Sequence, residues 1–394
     1  MHGVHRTGMA EYQTVRRDGP NTTLCGNKRE PMRGNPEEEP MKSRITRVNI
    51  LGATRAVVSV FVGLTLCSPV LEAWALPTAI ELLQELQVSD SDRQSIQEGK
   101  IITWSTTEGS DRELALGMAM LAKTKPENLV PLFREAAAFK NVSAIIAYGK
   151  IVGEGTVADF AGVKLAPNGE KEARRYLEAE PGDELNLDAK EIAAFRALKS
   201  ASKDGAVPIQ KVETLIREGL LARYQAYHSK GLAGIAPYAR KSGHQTLASD
   251  ELSIATKQSK LMAKYLPSVY NALLNYPSLK FKEADELEEQ FFWVTIEVFG
   301  RPTYVLSHRL RFRIGEAYVS VDRHYYASHD YNSLQQGAVA LPTTNGIVVT
   351  YLSRVSTDQV AGFGSSAKHP VSRALMAPYL KDLLEALRAK AEKQ

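Results

Sequence analysis

Between Tyr304 and Ile314, apolar and charged side chains alternate along the chain. The even-numbered positions carry Tyr, Leu, His, Leu, Phe and Ile, and Arg309, Arg311 and Arg313 occupy three odd-numbered ones. Because successive side chains of a strand point to opposite faces of its sheet, this pattern predicts a strand with one buried and one wet face. We expect the three arginines on the solvated outer face, where an anionic membrane surface is an alternative partner for them.

A period of two extends to both sides of this strand, and short turns separate the alternating segments. Further strands are predicted over Phe291–Phe299, Tyr318–Ala327 and Gly346–Val355. Strands joined by short turns pair antiparallel, so the region after Gln290 is predicted to be a meander. Nearer the N-terminus, the β-branched and aromatic segment Ile101–Thr106 and the segment Glu113–Leu121 flank a turn, which predicts a hairpin. Val142–Val152 resembles one more strand.

Helical periodicity dominates the middle of the chain. Between Glu154 and Glu289, apolar residues recur at spacings of three and four, which is typical of amphipathic helices. The helices predicted there cover Leu187–Leu198, Val207–Tyr227 and Leu252–Leu274, the last one interrupted at Pro267. Other helices are predicted over Leu76–Val88, from Thr124 to about Asn141, and from about Val371 to the end, with Leu380, Leu383, Leu384 and Leu387 forming an apolar stripe in the last.

The segment Met41–Ala75 has the three parts of a secretory signal peptide. Basic residues from Lys42 to Arg55 precede a short apolar run, and Ala73-Trp74-Ala75 provides small residues around a cleavage site. We therefore predict cleavage after Ala75 and a periplasmic or secreted protein. Residues 1–40 are interpreted as disordered or as a non-native upstream segment, the alternative being the cytoplasmic tail of an uncleaved anchor.

Without the predicted leader the chain is almost neutral and has no thiol. The whole sequence has 49 Lys and Arg against 45 Asp and Glu, and residues 1–75 hold 10 and 7 of these, which leaves 39 against 38. A nucleic-acid-binding surface needs clustered basic charge, so no nucleic-acid partner is expected. Both cysteines, Cys25 and Cys67, precede the predicted cleavage site, so the exported domain must be stabilised by its core.

The order of a hairpin, a helix with proline near its start, antiparallel strands and a long amphipathic C-terminal helix resembles START-like domains of the SRPBCC superfamily. The resemblance covers Ile101–Val152 and Phe291–Gln394. It implies an α+β helix-grip fold, in which a curved antiparallel sheet wraps a long C-terminal helix and holds a lipid or other apolar small molecule between them. The predicted organisation is then 1–40 upstream, 41–75 leader, 76–153 first half of the domain, 154–289 helical insertion, and 290–394 second half.

The densest polar and aromatic stretch is Asp322–Asn332. If Tyr318, Ser320, Asp322, His324 and Tyr326 share one strand face, that face either lines a cavity or is an ordinary sheet surface. Arg354 and Asp358 are expected to pair with each other. The predicted ligand-binding residues are His308, Arg323, His324, Tyr326, His329, Asn332, Arg354 and Asp358.

Several functions are compatible with these residues. The leading expectation is a non-enzymatic carrier without a cofactor, which assumes an apolar cavity, and the alternative is a filled core in which His308 is an ordinary buried side chain. A second hypothesis is an enzyme that uses His324, Tyr326 and His329. A metal site of His324, His329 and Asp330 is disfavoured, since the spacing of the two histidines places them on opposite faces. A third hypothesis is an envelope protein that binds partners through its helical insertion. The sequence does not predict the oligomeric state.

Overall fold

A computed structural model describes residues 76–125, 127–128, 144–202, 207–278, 281, 286–298 and 300–393. These residues belong to one compact unit, Val70–Gln394. The predicted leader, the segment before it and most of the helix predicted from Thr124 to Asn141 lie outside the described residues.

The protein is a mixed α+β structure built from one large antiparallel sheet and helices. The described helices are α1 (Ala79–Glu85), α2 (Asp90–Gln97), α3 (Gly169–Leu177), α4 (Ala189–Ala201), α5 (Ile209–Lys230), α6 (Ala248–Gln258), α7 (Lys260–Tyr265), α8 (Pro267–Asn275) and α9 (Ser365–Ala391). The described strands are β1 (Ile102–Ser105), β2 (Glu113–Ala122), β3 (Ile145–Ile151), β4 (Tyr238–Ala239), β5 (Gln245–Thr246), β6 (Glu286–Val298), β7 (Arg301–Ile314), β8 (Ala317–Ala327), β9 (Ser333–Thr343) and β10 (Gly346–Ser356).

Eight strands form the large sheet in the order β1-β2-β10-β9-β8-β7-β6-β3, and every neighbouring pair is antiparallel. The predicted meander therefore occupies the centre of the sheet, and the predicted hairpin β1–β2 joins it beside the last strand. The chain passes from β2 on one side of the meander to β3 on the other. The short strands β4 and β5, which the sequence did not predict, form a separate pair within the helical insertion.

One sheet face packs against the N-terminal helices and the helical insertion, and we call it the insertion face. Its side chains include Leu306 and Trp293, which join the core of α3–α6, and Leu310 and Phe312, which pack against α8. Near the other edge, Leu121 packs with α1 and α2. The apolar side of the alternating strand β7 thus faces the insertion, because neighbouring positions on β6, β7 and β8 bring Leu and aromatic side chains together there.

The C-terminal helix packs on the opposite face of the sheet, on the side of β2, β10 and β9, and we call this face the α9 face. Leu384 of α9 packs against Met118 and Met120 of β2 and Val349 of β10. The expectation that the C-terminal helix covers the apolar side of β7 is wrong, since helices of the insertion occupy that side. The helix begins at Ser365, earlier than predicted, and continues through Pro370 and Pro378 to Ala391.

The prediction that one face of β7 is exposed to solvent is also wrong. Arg309 and Arg311 are each 6% exposed, so both faces of this strand are buried over most of its length. The arginines alternate with apolar residues as predicted, but they point to the side of the sheet on which α9 packs. Among the helices in the described part of the chain, none combines the length and apolar character needed to cross a bilayer.

Candidate functional site

A group of polar side chains lies in the middle of the α9 face, on strands β7 to β10 and in the loop after β8. The register places Ser307 opposite His324, Arg309 opposite Asp322, and Asp322 opposite Gln336 on the next strand. We call this group the polar cluster. Its members are Ser307, Arg309, Asp322, His324, Tyr331, Gln336 and Tyr351.

Asp322 is the centre of the polar cluster. Its Oδ2 accepts hydrogen bonds from Nε and Nη2 of Arg309 at 3.1 and 2.8 Å, and its Oδ1 accepts one from the Ser307 hydroxyl at 2.5 Å. The Gln336 amide nitrogen lies 3.5 Å from Oδ2, and Tyr351 donates to the amide oxygen of Gln336. Buried charges require such partners, and here they come from β7 and β9, the two strands on either side of β8.

The cluster holds an ionised carboxylate next to a neutral imidazole at neutral pH. Burial by itself would raise the pKa of Asp322, but Arg309, His324 and the Ser307 hydroxyl outweigh it and lower the pKa to about 2. Burial lowers the pKa of His324, whose Nδ1 lies 2.8 Å from the Tyr331 hydroxyl. The cluster therefore offers a fixed ion pair together with an imidazole and hydroxyl groups, which suits recognition of a polar or acidic group.

Apolar surface lies on both sides of the polar cluster. On one side are the methionines and valine under α9. On the other side Phe292, Val294 and Val305 form a second buried patch, and the guanidinium of Arg309 lies 5.2 Å from the centre of the Phe292 ring. A molecule on this face would meet a polar centre between two apolar areas.

His308 lies on the insertion face, away from the cluster. Its Nδ1 is 2.9 Å from the Tyr227 hydroxyl, its Nε2 is 2.9 Å from a carboxylate oxygen of Glu289, and its ring stacks on Phe291. Burial lowers its pKa. This histidine is an aromatic-core residue with partners at both nitrogens, as the alternative interpretation of the sequence had it.

Arg323 and Tyr326, two further predicted ligand contacts, also point to the insertion face. Arg323 is completely buried and hydrogen-bonds Gln335, Thr256 and the Leu273 carbonyl. Tyr326 lies beneath the guanidinium of Arg223, which is 4.2 Å from its ring centre. Both side chains connect the sheet to helices of the insertion.

The residues of the enzyme hypothesis are not brought together. The sequence suggested that His324 and Tyr326 share one strand face, and this is wrong. An extra residue in β8 shifts the register between Leu306 and Ser307, so the two side chains lie on opposite faces of the sheet. His329, after the strand, contacts Asp330, Thr303 and the Pro302 carbonyl. Within the described ranges, no three His, Cys, Asp or Glu side chains are arranged as metal ligands.

Asn332 and Asp358 meet at the end of the sheet through an arginine that the sequence analysis did not select. Arg240 donates to Asp358 at 2.9 Å and to the side-chain oxygen of Asn332 at 3.2 Å. The Asn332 amide then donates to buried Glu251 at 2.9 Å. The predicted pairing of Arg354 with Asp358 is wrong, because Arg354 donates instead to Glu113, at 3.0 Å.

We expect Glu251 to make stability depend on pH. Burial raises its pKa to about 7, against the lowering effect of hydrogen bonds from Asn332 and Ser333. Because the folded-state pKa lies above the unfolded value, its contribution is most favourable below the unfolded pKa and declines as pH rises towards 7. Between pH 5 and pH 8 the free energy of unfolding should fall by about 2.5 kcal/mol through this group.

Urea denaturation of the wild type and Glu251→Gln at both pH values measures this effect. The variant should lack most of the decline, whereas Glu218→Gln, at an exposed position on α5, should retain it. An equal decline in wild type and Glu251→Gln would contradict the assignment.

Sequence reasoning missed the role of the polar cluster because its members come from several strands. Arg309 was assigned to the solvent side, and Ser307, Gln336 and Tyr351 were not selected. The available signal was the recurrence of polar residues at alternate positions on strands that become neighbours, which needs the strand order and register to interpret.

Comparison of the chain with protein-family models, with curated proteins and with solved structures finds no match.

Proposed function

We propose that this chain is an exported, non-enzymatic binding protein that holds an amphipathic small molecule, such as a lipid, between the α9 face of its sheet and α9. The polar group of the ligand would contact the polar cluster, and its apolar part would lie on the adjoining apolar surface. A START-like, helix-grip interpretation of the domain is part of this proposal, because the order of elements motivates it.

One observation carries the proposal: a buried ion pair lies in the middle of a sheet face that has an apolar cluster on each side of it. Arg309 and Asp322 are 6% and 5% exposed. Replacing a buried ion pair with apolar residues of similar size is often neutral or stabilising, so a buried pair between two apolar clusters is a candidate for a role in binding. Perturbed, buried titratable groups are frequent at functional sites. In the proposed complex, this ion pair binds the polar group of the ligand.

The neighbouring apolar surface fits the rest of such a ligand. Met118 and Met120 lie under α9, and the unbranched thioether side chain of methionine adapts to irregular partners. A small-molecule site of this type combines mostly apolar lining with few polar groups that fix orientation.

The proposal predicts binding of an amphipathic acid. We expect a fatty acid labelled with the nitrobenzoxadiazole fluorophore to bind the wild-type protein, and native mass spectrometry of the purified protein to find a bound small molecule. The double variant Arg309→Met/Asp322→Leu should bind the labelled acid about tenfold more weakly, because hydrogen bonds to charged groups contribute about 1.5–3 kcal/mol.

A second buried ion pair gives a matched control. Arg354 and Glu113 also connect neighbouring strands, β10 and β2, and are 7% and 1% exposed. Arg354→Met/Glu113→Leu should leave binding of the labelled acid unchanged. A wild-type protein that neither binds the acid nor carries a molecule would contradict the proposal, and so would equal loss in both double variants.

Export belongs to the same proposal and is supported by the composition of Met41–Ala75. N-terminal sequencing of the exported protein tests it: Leu76 is the expected first residue, and a chain that retains Met1 or Met41 contradicts cleavage.

A further inference from the structure

The outer side of α9 carries a row of exposed apolar side chains. Val371, Leu375 and Tyr379 follow one another at intervals of four residues, one helical turn apart, and are 61%, 74% and 55% exposed. Phe363, in the loop before the helix, is fully exposed. We call these four residues the outer stripe. The inner side of the same helix, with Leu384, packs on the sheet, so the stripe points away from the core.

The outer stripe differs from the other exposed apolar residues of the described part. Ile80, Leu247 and Leu287 are well separated along the chain, and single exposed residues of this kind are normal on protein surfaces. Ile146, Val152 and Val157 lie on β3 and in the segment after it, so they do not form a row along one helix. Phe363 is also held at the tip of its loop by Gly362 and Gly364, both with positive φ. A projecting aromatic residue next to an apolar helix face is a surface that water solvates poorly.

The charge around the stripe indicates its partner. From Phe363 to Lys381 the chain contains Lys368, Arg373 and Lys381 and no Asp or Glu. Arg373 donates to Glu108. Lys368 and Lys381 are exposed beside the stripe; Lys368 donates to the Ala361 carbonyl, and Lys381 lies 4.0 Å from Glu385. Apolar side chains flanked by lysines are the pattern of helices that lie in the interface of an anionic bilayer.

We propose that the outer stripe of α9 binds the surface of membranes that contain anionic lipids, with Phe363 and the apolar side of the helix entering the headgroup region. A protein partner fits less well. A stable protein interface buries about 800 Å² on each side, and this stripe is a single row of side chains along one helix, followed at Asp382 and Glu385 by acidic residues. This inference goes beyond the proposed ligand site, because it concerns the opposite side of the helix.

A fluorophore at the loop tip tests the inference locally. In the full chain with Cys25→Ser and Cys67→Ser, a cysteine introduced by Phe363→Cys is labelled with nitrobenzoxadiazole. Vesicles of equal parts phosphatidylcholine and phosphatidylglycerol should shift the emission of this label to the blue and raise its intensity severalfold. The same label introduced by Ile80→Cys, at another exposed apolar position, should not respond to the vesicles. This control separates insertion at position 363 from any vesicle binding by the apolar run before Ala75.

Leu375→Ser in the labelled protein provides the second arm. It removes an exposed apolar side chain and should leave the fold intact, so vesicle binding seen by the label should weaken about tenfold. An unchanged emission of the label at position 363 with vesicles would overturn the inference, and so would a full response after Leu375→Ser. A dimer in sedimentation that Leu375→Ser dissociates would also overturn it, in favour of a second copy of the chain as the partner.

Discussion

Replacing Arg323 with methionine should cost about 3–5 kcal/mol of the free energy of unfolding, since each buried acceptor left without a donor costs about 1–3 kcal/mol. The guanidinium is completely buried, and its hydrogen bonds satisfy the Gln335 amide oxygen at 2.8 Å, the Thr256 hydroxyl at 2.9 Å and the Leu273 carbonyl at 2.7 Å. Methionine has a similar volume but no donors, so the Leu273 carbonyl and the Thr256 hydroxyl would lose the guanidinium as donor, and the Gln335 amide oxygen would keep only the hydrogen bond from Thr256. The variant would thus loosen α6 and α8 from the insertion face at the same time.

Urea denaturation of Arg323→Met and wild type measures this loss. Arg196→Met is a suitable control, because Arg196 forms an exposed ion pair with Glu180 within the insertion, and such pairs contribute less than about 1 kcal/mol. Helices α6 and α8 should also show faster amide hydrogen exchange in Arg323→Met. A loss of stability no greater than that of Arg196→Met would show that Arg323 is not a main connection between sheet and insertion.

The strands of the meander were largely predictable because alternation is a local property. The predicted strand Tyr304–Ile314 corresponds to β7, and the predicted strand Tyr318–Ala327 corresponds to β8. Strand β9 was missed, since Ser333–Thr343 contains two glutamines, two alanines and a glycine among its 11 residues. These residues have weak strand preference, and β9 forms because β8 and β10 pair with it on both sides.

The sequence did not predict which helix packs on which face of the sheet. An apolar stripe shows that a helix packs on something, but it does not specify the surface on which it packs. Both the helical insertion and the C-terminal helix have apolar sides, and a sheet has two faces. The sequence favoured the nearest helix in the chain for the apolar side of β7, and the insertion occupies it instead. The arginines therefore lie on the α9 face, and this reversal turns a predicted outer surface into the candidate site.

The site prediction also depended on the register at one position. An extra residue in β8 beside Tyr325 moves Tyr326 to the insertion face while His324 stays on the α9 face. A one-residue shift reverses the direction of every following side chain, and no feature of the local sequence marks it. Of the predicted ligand contacts, His324 belongs to the polar cluster, and His308, Arg323 and Tyr326 have structural partners on the other face.

Removing Asp322 alone should be far more damaging than removing it together with Arg309. Asp322→Leu leaves the buried guanidinium without its carboxylate, and breaking a buried pair in this way costs about 3–5 kcal/mol. The double variant Arg309→Met/Asp322→Leu removes both charges and should lie within about 1 kcal/mol of wild type, because apolar replacements of buried pairs are often neutral. Urea denaturation of the two variants and of Arg309→Met measures the coupling between the residues.

The dependence of the free energy of unfolding on pH below pH 4 gives an independent measurement of the Arg309–Asp322 pair. The pKa of Asp322 is about 2 in the folded protein and lies below its ordinary value of 3.8, so its contribution is complete above pH 4 and is lost as pH falls towards 2. That contribution is about 2 kcal/mol. Wild type should lose this amount between pH 4 and pH 2, beyond the loss shown by the double variant. If the two proteins lose stability in parallel, the pair does not favour the ionised carboxylate, and the cluster lacks the fixed charge pair on which the proposed ligand contact depends.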